Sequence, residues 1–135
     1  MRKAADSSVT VAALWGDHPA YEAAAEALAG CESTIAHVAV ETYSVLTRMP
    51  TPHRAAATAA AAALKERLGG TYATLEANMY PRALERLAEA GVSAGATYDG
   101  LIALTAIEHQ LELVTRDRRA ERTYRALGVP YEMLV

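Results

Sequence analysis

Apolar positions along this chain come in blocks of two lengths, separated by glycine, proline and charged residues. The short blocks read as strands: residues 2–5, Ser33–Ala36, Thr71–Leu75, Leu111–Thr115 and Tyr131–Val135. The longer ones carry apolar residues at helical spacing. A short helix over Val9–Leu14 is followed by one opened by Asp17-His18-Pro19, with Asp17 as its cap, and closed by Gly30. His37 to about Arg48 forms a third, stopped by Pro50 and Pro52, and an alanine-rich tract from Ala55 runs on to Leu68. Gly69-Gly70 then breaks the chain, Met79–Ala90 is helical up to Gly91, and Arg118–Leu127 forms the last helix.

Between these lies Ser93 to Asp117, SAGATYDGLIALTAIEHQLELVTRD, around which the chain is organised. Ser93 is placed as the cap of a helix holding Leu101, Ile102, Leu104, Thr105 and Ile107; Leu111–Thr115 follows as a buried strand. Strands that alternate with helices imply βαβ crossovers. The expected architecture is therefore α/β, a three-layer α/β/α sandwich on a parallel five-stranded sheet, in one domain spanning residues 1–135.

Composition narrows the class without naming a chemistry. An apolar content of 52% argues a soluble globular chain. The alanine tract is too short and too weakly apolar to span a bilayer, and Met1–Asp6 lacks the apolar segment of a signal peptide, so a cytoplasmic location is expected. The single cysteine, Cys31, excludes an internal disulfide and a cysteine-based zinc site. Net charge is −3, which does not advertise nucleic-acid binding. Sequestering four of the sixteen acids around a divalent ion would leave twelve against thirteen bases. Eleven of those bases are Arg, a residue suited to bidentate phosphate or carboxylate contacts and also favoured by a GC-rich genome.

The acids carry the chemistry. Asp99 shares a helical face with Ala96, Ile102, Ala103 and Ala106, where an unpaired carboxylate is costly. It needs backbone donors, a cation or a metal. Glu41 lies between Val38 and Val45, and either pairs with Arg48 or belongs to a site; His37 beside it reads as a helix-start residue. Asp6, with Ser7 and Ser8, follows the first strand and would cap the first helix or serve a site. Asp117 follows the fourth strand. Functional groups of parallel sheets gather beyond the carboxyl ends of the strands, so Asp6, Glu41 and Asp117 fall at one edge, and Asp99 is within reach of it. Four clustered carboxylates repel one another unless a divalent cation such as Mg²⁺ or Mn²⁺ lies among them.

Asp6-Ser7-Ser8, Glu41 at a helix start, Ala96-Thr97-Tyr98-Asp99-Gly100-Leu101-Ile102-Ala103 and Leu113-Val114-Thr115-Arg116-Asp117 together resemble the acidic signature of PIN domains. In length and spacing the chain is similar to the VapC toxins of bacterial toxin–antitoxin modules. That resemblance implies a Mg²⁺- or Mn²⁺-dependent endoribonuclease with Asp6, Glu41, Asp99 and Asp117 as catalytic, metal-binding quartet. It also implies a VapB-like antitoxin, a homodimer and a sheet in the order 3-2-1-4-5. One departure stands out: the first strand of the family is apolar, whereas here Arg2 and Lys3 precede two alanines. Either the strand is shortened to Ala4-Ala5 or the true start differs.

On this reading a metal-activated water attacks an RNA phosphodiester. Ser8 and Thr115 orient carboxylates or waters from behind. Arg116, Arg118, Arg119 and Arg122 contact phosphates, or else form a solvated face with ion pairs to Glu121. Other chemistries fit less well. A receiver domain needs paired acids after its first strand and a lysine after the fifth, but the only lysines are Lys3 and Lys65. A haloacid-dehalogenase-type phosphatase needs Asp-x-Asp where Asp6-Ser7-Ser8 stands. No Gly-x-Ser-x-Gly occurs. A catalytically inactive PIN-like module acting through protein or RNA contacts is the alternative.

Overall fold

A computed structural model describes residues 1–68 and 71–135, so the expected Gly69-Gly70 break lies outside the described residues. Five strands, β1 (Lys3–Ala5), β2 (Thr34–Ile35), β3 (Tyr72–Ala73), β4 (Glu112–Thr115) and β5 (Tyr131–Met133), alternate with helices. These are α1 (Ser7–Leu14), α2 (Tyr21–Ala29), α3 (Ala36–Arg48), α4 (Ala57–Arg67), α5 (Tyr80–Glu89), α6 (Ala96–Glu108) and α7 (Glu121–Leu127). One 3-10 turn, Ala77–Met79, leads into α5. None of the described helices is long and apolar enough to cross a membrane.

All strand pairs are parallel. β4 lies between β1 and β5, with Ala4 opposite Leu113, Ala5 opposite Val114 and Leu113 opposite Tyr131. β2 pairs with β3 as a separate two-stranded ladder that runs beside β1. The expected single five-stranded sheet is thus three strands plus two among the described residues. The reason is length: β2 supplies two residues before the chain turns into α3 at Ala36, and β1 supplies three.

Because successive strand residues point to opposite faces, β1 and β4 divide the interior in two. Ala4 and Leu113 enter a core with Leu87, Ile102 and Tyr124 of α5, α6 and α7. Ala5 and Val114 enter the other, with Val9, Ala12, Leu28 and Leu64 of α1, α2 and α4. Helices therefore cover both faces, and the α/β/α layering holds. The polar first strand resolves in the same way. Its buried part is Ala4-Ala5, while Lys3 remains at the solvent end with Nζ 2.7 Å from Glu132 and 3.8 Å from Glu112.

Two expected caps are displaced. Asp17 does not cap α2: His18 N donates to Trp15 O in an intervening turn, Ala20 is the N-cap residue, and Ala20 N donates to His18 Nδ1 at 2.9 Å. Ser93 does not cap α6, because Ala94 at φ 52° turns the chain first and Gly95 takes that place without a side-chain bond. The last helix begins at Glu121 rather than Arg118, since residues 118–120 form a turn on Asp117. At the far end of α7, Gly128 adopts φ 78°, a left-handed turn that glycine enters without a Cβ penalty. Gly100 serves a different need. A Cβ there would strike Leu87 Cδ2 and lie 3.2 Å from Val92 Cγ1, so its absence lets α6 approach α5 directly behind Asp99.

Candidate active site

The parallel register of β1 and β4 delivers two acidic segments side by side. Asp6 follows Ala5, Thr115-Arg116-Asp117 follows Val114, and Asp6 N donates to Val114 O at 2.9 Å. The Asp6 carboxylate is 3% exposed and surrounded by donors. Oδ1 accepts from Ser8 N at 3.0 Å, Ser8 Oγ at 2.5 Å and Val9 N at 3.4 Å, which makes Asp6 the N-cap of α1. Oδ2 accepts from the buried Tyr124 hydroxyl at 2.8 Å. Burial pushes the Asp6 pKa up, and these donors oppose the rise.

Ser8 and Thr115 tie the two segments together. Ser8 Oγ accepts from Arg116 N at 2.8 Å and lies 3.5 Å from Thr115 Oγ1, which in turn accepts from Asp117 N at 3.0 Å. Both hydroxyls hold the loop that carries Asp117 against the one that carries Asp6. Tyr124 does comparable work on Asp6 and was not anticipated. A signal existed: Ala120, Tyr124 and Leu127 recur at helical spacing in an arginine-rich segment, so this tyrosine had to face the core with its hydroxyl needing a partner.

The other two acids arrive on α3 and α6. Glu41 accepts a short hydrogen bond from the Ser7 hydroxyl, which binds α3 to the start of α1. His37, one turn earlier, places Nε2 3.9 Å from Glu41 Oε2 and stacks on Tyr98 with ring centroids 5.5 Å apart and planes 4° from parallel. The expected alternative for Glu41, an ion pair with Arg48, is absent among the described contacts; Arg48 Nη1 donates to Ser44 Oγ at 2.7 Å instead. Asp99 has its pKa raised to about 6, first by burial and then by the negative charges of Glu41, Asp6 and Asp117, with Arg119 opposing. Four acids from four separate parts of the chain therefore share one electrostatic neighbourhood. Among the described residues, Asp117 is the one of the four acids in an ion pair with an arginine, with Arg119 Nε 3.7 Å from Oδ1 and Arg119 N donating to that oxygen at 2.9 Å.

The four acids would offer an ion hard carboxylate oxygens, and the Asp99 pKa is raised by burial and then by the charge of the other three. That donor chemistry suits Mg²⁺ or Mn²⁺. Among the described residues, no three His, Cys, Asp or Glu side chains form a ready-made cage. Around this centre the basic side chains lie outward: Arg118, Arg119 and Arg122 are exposed, and Arg116 is partly covered. Arg119 and Arg122 line a cleft of about 440 Å³ with Ser93, Ala96 and Thr123, between the α5–α6 loop and α7. The expected competing partner, Glu121, is taken by Arg125 at 3.3 Å and by the Tyr131 hydroxyl at 2.7 Å.

The family model for the PIN domain matches residues 4–126. Ribonuclease VapC40 of Mycobacterium tuberculosis is 46% identical over 131 residues, covering 97% of this chain and 98% of that protein. Ribonuclease VapC27 of the same organism is 40% identical over 127 residues, covering 93% of this chain and 92% of that one. Among solved structures, the crystal structure of PAE2754 from Pyrobaculum aerophilum matches with a TM-score of 0.63 and 21% identity, over 97% of this chain and 90% of that chain, a likeness of fold.

Proposed function

This chain belongs to the PIN domain family, and from that premise we propose that it is an endoribonuclease, the toxin component of a VapBC-type toxin–antitoxin system. The observation that carries the reading is the state of Asp99. Burial first, and then the negative charges of Glu41, Asp6 and Asp117, hold this carboxyl group near pKa 6, which supports a site that would receive positive charge.

In this reading Asp6, Glu41, Asp99 and Asp117 hold Mg²⁺ or Mn²⁺, directly or through water. When bound, the ion lowers the pKa of a coordinated water and neutralises charge developing on the phosphodiester oxygens. The chain's own residues do the positioning. Tyr124 and the amides of Ser8 and Val9 hold the Asp6 carboxyl group in place and oppose the rise in its pKa that burial causes. Ser8 and Thr115 lock the Asp117 loop to the Asp6 loop, and Ser7 holds Glu41 in register with them. Arg116, Arg118 and Arg119 offer positive charge to RNA phosphates on the flank of the acids. We take the whole sheet as one layer in the order 3-2-1-4-5, supported by the way β2 lies beside β1. A VapB-like antitoxin, a homodimeric assembly and action in the cytoplasm follow from the same reading. The test is Asp99→Asn: a folded variant that still cleaves RNA in a metal-dependent way would overturn the catalytic assignment.

A second reading, a PIN-like module that binds without cutting, is favoured by the lack of a preformed ion cage among the described residues and by the internal donors that already occupy both Asp6 oxygens. Calorimetric titration with Mg²⁺ separates the two. Stoichiometric binding that disappears in Asp99→Asn supports the nuclease, and no binding supports the module.

A further inference from the structure

Tyr98 is 54% exposed, next to the half-buried carboxylate of Asp99 on α6. Its ring is nonetheless held. His37 of α3 lies parallel to it, 4° from coplanar with centroids 5.5 Å apart, and His37 is itself beside Glu41. The stacked pair thus takes one ring from each of the two helices that carry Glu41 and Asp99. An exposed tyrosine ordinarily samples several rotamers. Here stacking on His37 fixes the plane of the ring before any ligand arrives, so much of the ordering cost of binding is already met.

A fixed, solvent-facing aromatic plane beside an acidic pocket selects its ligand by chemistry. The surrounding carboxylates disfavour an anion on the ring itself, whereas a neutral, planar heterocycle extends the stack without desolvating a charge. We propose that Tyr98, braced by His37, is the seat for one unpaired nucleobase next to the phosphodiester held at the four acids. The proposal rests on the ribonuclease reading and adds to it a residue that fixes where the strand lies. Tyr98 here is a binding and positioning residue; the reacting phosphate is left to the acids.

The test uses the full chain with short fluorescein-labelled single-stranded RNA, its Kd read by anisotropy in Ca²⁺, which takes the same oxygen ligands. Tyr98→Ala is expected to weaken binding about 5- to 150-fold, the range for losing one base–aromatic stack. Tyr98→Phe and Tyr98→Trp should keep or tighten it, and Tyr98→Leu, equal in bulk but without a ring, should not. Replacing successive nucleotides with abasic sites should reveal one position whose loss costs the wild type affinity and costs Tyr98→Ala nothing. Equal affinities of Tyr98→Ala and wild type, with wild-type binding and cleavage intact, overturn the base seat and leave the ribonuclease standing. No RNA binding or cleavage by the wild type overturns both. Weakened binding of an arginine-containing peptide with an unchanged RNA Kd assigns the ring to a protein guanidinium and also overturns the proposal.

Discussion

Tyr124→Phe removes one oxygen atom and should expose how much one hydrogen bond to the buried Asp6 carboxyl group contributes to the fold. In the wild type the Tyr124 hydroxyl, fully buried, donates to Asp6 Oδ2 at 2.8 Å, while Oδ1 keeps three other donors. Phenylalanine preserves the ring and its packing, so no sizeable cavity opens. What is lost is one hydrogen bond to a carboxyl oxygen that water cannot replace at 3% exposure, a loss of about 1.5–3 kcal/mol. For a chain of this size that corresponds to a fall in Tm of roughly 5–10 °C.

The pH dependence identifies the cause. Burial already raises the Asp6 pKa, and Tyr124 is one of the groups that pull it down, so the variant raises it further. An acid with a raised folded pKa contributes full stability below its unfolded value and loses it as pH climbs through the folded value. The penalty of Tyr124→Phe should therefore be largest at neutral pH and shrink toward acid pH, where the proton satisfies the oxygen. Thermal melts across that range measure it. A variant that melts with the wild type at pH 7, or one whose deficit is the same at every pH, refutes the account of Asp6.

Asp99, held near pKa 6, should give RNA cleavage that rises as pH passes through about 6, since the charged form is the one that attracts a cation. The same raised pKa makes wild-type stability fall as pH rises from the ordinary carboxylate range through about 6. Without metal, Asp99→Asn should thus be more stable than wild type above that point, by about 1–2 kcal/mol after discounting for solvent, as urea titrations would read. Added Mg²⁺ should raise the wild-type Tm and move that of Glu41→Gln or Asp99→Asn much less; equal shifts in all three would place the ion elsewhere. Gly100→Ala gains helix propensity but forces its new Cβ onto Leu87, so a net loss of about 1 kcal/mol is expected, and a stabilised variant would show that Leu87 yields freely.

Along the chain, local signals were enough to order the elements and to single out the acids. Alternating short and long apolar blocks sufficed for the α/β layering, because burial period depends on backbone geometry that each segment carries alone. Asp99 stood out on an alanine-lined helical face, and Asp6 and Asp117 stood out at strand ends, for the same reason. Boundaries and caps were less legible: Asp17 and Ser93 are good capping residues by type, but the turn at His18 and the positive φ of Ala94 moved both helix starts downstream.

Partners were a matter for the folded chain alone. Glu41 had an arginine at the right helical spacing and yet takes Ser7, which comes near only when α3 packs on α1. Tyr124 lies 118 positions from Asp6, and nothing local to either residue specifies the bond between them. Hydrophobic periodicity is a property of neighbours in sequence, so a single chain displays it openly. The protonation of a buried acid depends on charges and donors summed over space, and that sum exists only once the layers have closed.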